Sequence, residues 1–588
     1  MLGKRSAQDS LFDCGQTFRA LVGDDSFYVY LADHRHELFS DDDFASLYCL
    51  DNGRPSIAPS LLAVALLLQW YDNVSDEEAA RRAKLDLGWK TALGLELMDV
   101  PFVKSVLCEF RNKLILHKQQ KRFFELSLKH ARAQGYFKAR NIKVALDTTP
   151  IFGRGAVEDT FNMLAEALRL LLHALAEEAG LSVEDYASTH DYSRYIAAKS
   201  FKGSFSTIDW DNPQDRQTVL DALVADCERG LALARTVLEC EKEPSPEREE
   251  IEKTSTLLAR LLAQDVKKCN AGVAEINQGV ARDRIVSVHD TEMRHGRKSS
   301  SQCFNGYKAA LAVEPESKLI TAVDLLPANA HDSQDTQTLI TESAETTGAM
   351  VEVVIGDGAY GTIEARLEAQ EAATPYTLVA PAARPAETGL FTKDDFQIDL
   401  ERGEVRCPAG ETTNKNARRA EKKLSGRVIT YRMFCFSWKQ CTACPLRVKC
   451  IKEKTRFRTV AVHEHERLVN EARSFQRTDG FHDIYRMRVE VEHRIPRLTH
   501  FGLRQARYIG SAKGLFQLAM TAALANLTLV AATGQPGLLL YFLIALTLVL
   551  ILESRMRMRY RTLSLDESSR TRLRLLEDFK TGGSQLAF

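Results

Sequence analysis

Neither sign of charge is in excess in this chain: 78 Lys and Arg stand against 79 Asp and Glu, a formal net charge of −1 over 588 residues. That excludes a protein that coats nucleic acid by bulk positive charge and leaves only local basic faces for a polyanion. Two such stretches are present, NKNARRAEKKLSGR (Asn414 to Arg427) and ESRMRMRYRTL (Glu553 to Leu563). The first sixteen residues, MLGKRSAQDSLFDCGQ, have no apolar core and no cleavage pattern, so no secretory signal is expected and the expected compartment is a reducing cytoplasm. Cysteine is sparse, with twelve residues mostly scattered singly; in such a compartment a cluster points to metal rather than to disulfides. Long unbroken apolar runs are few. The one that stands out is Leu538 to Leu552, fifteen largely apolar residues. At 1.5 Å per residue it spans about 22 Å, short of a hydrocarbon core of roughly 30 Å. A buried or partner-facing helix is expected there, with a membrane segment as the alternative.

What is present is ordinary globular composition, 45% hydrophobic and 27% charged, in a chain long enough for two to four domains. Residues 1 to about 140 read as helical. Ser75 precedes DEEAARRAKLDL as an N-cap, with Glu78 completing a capping-box pattern, and Arg81, Arg82 and Lys84 follow on that helix. A helix-turn-helix-like module and a plain helical bundle both fit this stretch. KVALD (Lys143 to Asp147) is a short apolar strand ending in a carboxylate. Helical patterns occupy 160 to about 285, divided by a charged linker, EKEPSPEREE. GYKAALAVEP and KLITAVDLLP, split by PESK, read as a hairpin, and a helix then leads to VVIGDGAYG (Val353 to Gly361). There the β-branched run stops at Asp357, between Gly356 and Gly358, where backbone can come close to another group. The order of elements indicates a mixed α/β protein with few strands, neither a barrel nor a dinucleotide fold.

Two strands thus end in carboxylates, Asp147 and Asp357, 210 residues apart (357 − 147). Phosphodiester chemistry uses such groups to hold divalent metal ions, and two aspartates alone leave the site short of ligands. The third is sought in YRMRVEVEHRIPRLTHFGLRQARYIGSAK (Tyr485 to Lys513). On a helix Tyr485, Arg488 and Glu492 fall at i, i+3 and i+7, on one face. Glu490 lies about 140° round from Tyr485 at 3.6 residues per turn. The face selects Glu492, and Pro496 is expected to end or kink the helix just beyond.

Asp147 in ALDTTPIFGRGAVEDTFN, Asp357 in VIGDGAYG and the Tyr-x-x-Arg-x-x-x-Glu run together resemble the DDE insertion-sequence transposases, from roughly Arg54 to Asn526. SVHDTEMRHGRKSSSQCFNGYKAAL and ITAVDLLPANAHDSQ resemble the hairpin region of that family. The resemblance implies an α/β fold with an RNase H-like mixed-sheet catalytic core (141–160, 286–384 and 471–530). A helical N-terminal domain (1–140) would precede it, with a helical insertion (161–285), a Cys-containing basic insertion (385–470) and an apolar and basic tail (531–588). It implies that Asp147, Asp357 and Glu492 hold Mg²⁺, with Mn²⁺ able to substitute, for strand cleavage and strand transfer. Arg488 and Tyr485 would contact the phosphate backbone. The family's Lys seven residues after the Glu is Thr499 here, which leaves that contact to Arg497, Arg504 or Lys513. Arg81, Arg82 and Lys84 would bind double-stranded DNA at the element's terminal inverted repeats. Target DNA is a second partner, and a homodimer on the nucleoid would bridge both ends. An RNase H-like nuclease without strand transfer and a DNA-binding protein without catalysis are the rival readings.

The cysteine cluster comprises Cys407, Cys435, Cys441, Cys444 and Cys450. Four thiolates suit tetrahedral Zn²⁺ in a loop-rich segment. Cys407, Cys441, Cys444 and Cys450 are the expected four, as in similar segments of the family, and Cys435 is the spare. Arg418, Arg419, Lys422, Lys423, Arg447 and Lys449 around them would suit DNA that flanks the active site.

Overall fold

The computed structural model describes residues 1–534, apart from 7–9, 11, 50–51, 198–200, 206, 241–242, 269–272, 279–280, 282, 299–300, 383–388 and 423–427. The apolar run Leu538 to Leu552, the basic stretch after it, and Lys423 lie outside the described residues.

The N-terminal region is helical. Ser26 caps α1 (Phe27–Leu38), and Ser75 caps α2 (Asp76–Leu85) by accepting from the Glu78 amide at 3.2 Å. The reciprocal half of the expected capping box is not made. The Glu78 carboxylate instead takes Arg81 at 2.7 and 2.8 Å and Arg82 at 3.1 Å, because charged donors one turn away outcompete a backbone amide. A third helix, α3 (Arg122–Ala133), buries Phe123, Phe124, Leu128 and Ala131. These helices do not close a core of their own. Trp70, Trp89, Phe110 and Phe124 belong to one continuous apolar cluster with Ile151, Leu311, Val323, Ile355 and Leu498 from the sheet side.

The sheet is built on β1 (Asn141–Phe152), β2 (Cys303–Glu314), β3 (Leu319–Pro327), β4 (Met350–Ile355) and β5 (Thr377–Val379). Their spatial order is β3-β2-β1-β4-β5, with a short strand at Arg294–Arg297 beside the start of β2. β2 pairs antiparallel with both β1 and β3, whereas β4 and β5 run parallel to β1. The hairpin expected at PESK joins β2 to β3, and Lys318 supplies its positive-φ position at 62°.

β1 runs beyond the expected end at Asp147 by five residues, because Thr148 to Phe152 go on pairing with β2 after β4 has stopped. Pro150 is tolerated in this stretch. The amide and carbonyl of Phe152 face away from β2, to Arg504 and Ala506, and Pro150 shares that side, so no rung of the β2 ladder is lost.

Two further cores sit outside the sheet. Helices Thr160–Ala179, Pro213–Glu239 and Pro246–Asp265 bury Leu164, Leu168, Leu171, Leu223 and Leu258 among themselves. Asp265 closes the base of this unit by accepting from Thr160 at 2.9 Å and Arg284 at 2.8 Å. Half of the expected charged linker belongs to the last helix. Ser245 caps it, Pro246 starts it, and Glu247 and Glu249 suit the positive end of its dipole. The second core, Phe396, Val405, Phe434, Phe436, Val460 and Val462, supports two small three-stranded sheets.

The segment after the insertions returns to the sheet as α4 (Val489–His500) and then α5 (Ser511–Gly534). α5 is long and apolar enough to cross a membrane, yet it is 72% buried inside the protein over its apolar window. It packs on α3 and β3 and so joins the N-terminal helices to the sheet.

Candidate active site

The parallel pairing of β1 with β4 sets the site. Their first rungs, Asn141 with Met350 and Ile142 with Val351, are 209 residues apart. A bulge between Ile142 and Lys143 shifts the register by one, so Lys143, Val144 and Ala145 pair with Val353, Val354 and Ile355 at a separation of 210. Continued two residues, that offset sets Asp147 level with Asp357, at the carboxyl end of β4. Without the bulge Asp147 would stand opposite Gly356. Asp147 accepts from the Thr148 amide at 2.8 Å, and Asp357 from the Ala359 amide at 2.8 Å, an Asx turn that holds the loop after the strand.

Arg488 links the third carboxylate to this pair. Its guanidinium lies 3.1 Å from Asp147 Oδ2 and hydrogen-bonds Glu492 Oε1. Burial pushes the Asp147 carboxyl up, opposed by the Thr148 amide and Arg488, while the charge of Asp357 raises it further. The repulsion between Asp147 and Asp357 favours a cation beside them, and Glu492 reaches the pair through Arg488. Their hard oxygen donors fit Mg²⁺ or Mn²⁺, and Arg488 partly meets that demand in the structure.

Glu490 stands apart, 18% exposed and 3.4 Å from Lys318 in the β2–β3 turn. The face carrying Tyr485, Arg488 and Glu492 is not one uniform α-helix, since Arg486–Arg488 tighten into a 3₁₀ turn between Asp479–Tyr485 and α4. Tyr485 stacks on Phe481 at 5.2 Å. Pro496, expected to end or kink the helix, does not end it. α4 runs on to His500, held by Leu498 and by Phe501 just beyond, both buried in the shared core.

Three residues join the site that sequence reasoning missed. Asp332 accepts from Thr148 Oγ1 and from Lys308, each at 2.8 Å. Tyr360 is 1% exposed, its hydroxyl has no hydrogen-bond partner among the described residues, and burial, then the charges of Asp147, Asp332 and Asp357, push its phenol well up. Lys308 lies opposite Pro150 on β2, a cross-strand relation that no local pattern reveals.

The expected DNA-contacting residues are used in different ways. Arg82 is folded back onto Asp72 at 2.8 Å and onto Glu78, Arg81 is exposed but held by the same Glu78 carboxylate, and Lys84 faces solvent. Arg504 is spent on Thr149 and the Pro150 carbonyl at 3.2 and 3.1 Å. Arg497 stacks over Phe501, and Lys513 is exposed. The Thr499 hydroxyl bonds back to the Ile495 carbonyl at 3.0 Å, so it offers its donor to its own helix.

Cys407, Cys441, Cys444 and Cys450 line one pocket with Arg447 and Arg458, and Cys435 is not among its walls. Burial raises the Cys450 thiol, Arg458 opposes this, and the three neighbouring thiols add to the rise. The donors are all soft sulfur, which fits Zn²⁺. Arg447 and Arg458 fasten this knuckle through the carbonyls of Cys441, Thr455 and Cys450. Arg418, Arg419 and Lys422 lie on a fully exposed strand, Asn416–Lys422.

Comparison with protein families gives two matches. Residues 406–531 match the family described as Transposase DDE domain, and residues 16–113 match the Transposase domain family (DUF772). The first match contains the cysteine knuckle, Tyr485, Arg488, Glu492 and nearly all of α5; Asp147 and Asp357 lie between the two. No curated protein and no solved structure matches the chain.

Proposed function

We propose that this chain, which its two matched segments identify as a DDE insertion-sequence transposase, cuts the ends of its element and joins them to target DNA at Asp147, Asp357 and Glu492. The observation that carries this reading is Arg488 tying Asp147 to Glu492, together with the bulge-set register whose last rung, Ala145 with Ile355, stands two residues before Asp147 and Asp357. The strand order β3-β2-β1-β4-β5, antiparallel over the first three and parallel thereafter, supports an RNase H-like core.

Bound by these three carboxylates, Mg²⁺ or Mn²⁺ would activate the attacking oxygen and neutralise the leaving one. The protein's own part is positioning. The Asx turn at Asp357 and the Thr148 amide orient two carboxylates carried by the two inner strands β1 and β4. Arg488, close to both Asp147 and Glu492, presents positive charge where a phosphate would arrive, with Tyr485 beside it. Asp332, itself held by Lys308 on β2, braces the Thr148 hydroxyl. Cleavage exposes a 3′-hydroxyl, which attacks target DNA at the same site with no covalent protein–DNA intermediate. Arg81, Lys84 and Lys513 are the exposed cations for DNA, and Arg82, Arg497 and Arg504 act through the protein's own contacts. A homodimer on the nucleoid would bring both ends together, and Zn²⁺ on Cys407, Cys441, Cys444 and Cys450 would staple the insertion.

The test is cleavage and joining of a labelled end fragment in Mg²⁺ or Mn²⁺. Asp147→Ala, Asp357→Ala and Glu492→Ala should each lose both products by at least about 100-fold, while Glu490→Ala keeps them. Cleavage without joined product in the intact protein would establish a nuclease instead, and binding without cleavage a DNA-binding protein.

A further inference from the structure

A second group of side chains converges on the N-terminal helices rather than on the sheet that carries Asp147 and Asp357. His34 and Glu37 lie one turn apart on α1, and His130 faces them from α3. Nδ1 of His34 is 3.0 Å from Glu37 Oε2, and Nδ1 of His130 is 3.9 Å from the same oxygen. Ligand atoms of all three lie within 4.8 Å of one another, the one such group among the described residues. We propose that His34, Glu37 and His130 bind a divalent transition-metal ion of the zinc type and so pin α1 to α3.

The strongest support is His130. Its side chain is 1% exposed, and its Nδ1 has no hydrogen-bond partner among the described residues. The 3.9 Å to Glu37 is too long for a hydrogen bond, so a buried ring nitrogen is aimed at a carboxylate without bonding to it. The other ring nitrogen, Nε2, lies 2.7 Å from the Tyr30 hydroxyl. With the proton on Nε2 given to Tyr30, the Nδ1 lone pair is directed at His34 and Glu37. This is the outer hydrogen bond that orients ligating histidines elsewhere.

Spacing and access agree with this reading. Ligands of a tetrahedral ion with bonds of about 2.0–2.1 Å stand roughly 3.3 Å apart, and the distances of 3.0 and 3.9 Å bracket that value. Glu37 is 59% exposed and His34 26%, which leaves a way in and a side open to water as a fourth ligand. Two imidazoles and one carboxylate select zinc-like ions over Mg²⁺, which prefers oxygen alone and keeps most of its water. A plain His34–Glu37 surface pair would leave the orphan nitrogen of His130 unexplained. The pinned helices are remote in sequence, with Tyr30 and His130 separated by 100 residues, and α3 seats α5.

The test counts Zn²⁺ on the full chain, stripped and reloaded in excess Mg²⁺, so that Mg²⁺ saturates the carboxylate site. His34→Gln combined with Glu37→Gln changes two surface-accessible side chains, and its circular dichroism without metal should equal that of the wild type. It should bind one equivalent of Zn²⁺ fewer and lose part of the rise in Tm that Zn²⁺ produces. Tyr30→Phe, which removes only the outer hydrogen bond, should keep that equivalent with an affinity about tenfold weaker. Equal zinc counts and equal Tm responses in the wild type and the double variant would overturn the proposal.

Discussion

Gly356 has no side chain because Tyr360 occupies the place where one would go. A Cβ there would lie 2.6 Å from both Cβ and Cγ of that buried ring. Gly361 is as constrained, with the Pro381 carbonyl oxygen 1.9 Å from its would-be Cβ, whereas Gly358 meets nothing within 4 Å. Of the two glycines that flank Asp357, then, only one is required by close approach. Gly356→Ala should displace Tyr360 and with it the Asp357 loop, cutting strand cleavage by at least about tenfold. Gly358→Ala should change neither cleavage nor Tm. A second residue-scale prediction concerns Asp335. Burial and the neighbouring Asp324 raise its carboxyl to about 6. The folded protein therefore holds a proton that the unfolded chain releases near 3.8. Stability falls as pH rises from the unfolded value through about 6, and the full penalty remains above it. Asp335→Asn should raise Tm at pH 8, by the equivalent of about 1 kcal/mol after allowance for solvent screening, and leave it unchanged near pH 3.5. Thermal melts at the two pH values check this.

At the scale of elements, the run from Asp479 to His500 carries the third carboxylate by breaking two local rules. Its middle tightens into a 3₁₀ turn, and Pro496 sits inside α4. Proline has no amide hydrogen, so the carbonyl of Glu492, four residues earlier, loses its helical partner. The helix persists because Val491 and Leu498 are buried against the sheet and Phe501 anchors the chain just past its end. Pro496 itself is exposed. Pro496→Ala should therefore stabilise the protein by about 1 kcal/mol, the restored bond outweighing the greater freedom of the unfolded chain, and a rise in Tm would register it. The bulge in β1 is the other element that matters. It displaces register by a single residue, and in a sheet one residue decides which side chains share a level and a face.

For the whole molecule, α5 is the joint. Asn526 is fully buried, and its side chain accepts from the Ile320 amide at 2.9 Å and donates to the Ile320 carbonyl at 2.8 Å. It stands in for a missing strand at the edge of β3, beside the irregular rung between Ala312 and Val313. Asn526→Leu should leave both groups of Ile320 unpaired and cost about 2–4 kcal/mol, seen as a lower Tm of the sheet and the N-terminal helices together. They should melt as one because they share a core.

Much of this was written locally. The β-branched run before Asp357, the turn at PESK, the serine cap at Ser75 and the helical spacing of Arg488 and Glu492 each act over a few residues. Short-range sterics and hydrogen bonding are enough to read them. The five cysteines are close in sequence too, and their clustering was visible without a fold. The tertiary structure alone decided the rest. The 210-residue register rests on one bulge, and the extension of β1 to Phe152 depends on a partner strand more than 150 residues away. Asp332, Lys308 and Tyr360 enter the site from elements with no pattern of their own, as His130 meets His34 and Glu37. Pro496 stays helical only because burial on either side outweighs a backbone preference. The sequence by itself determined which chemical groups were on offer and the local shape of the segments that bear them. Which of those groups meet depended on long-range pairing and a shared core, whose free energy is summed over residues distant in the chain and appears in no single stretch of it.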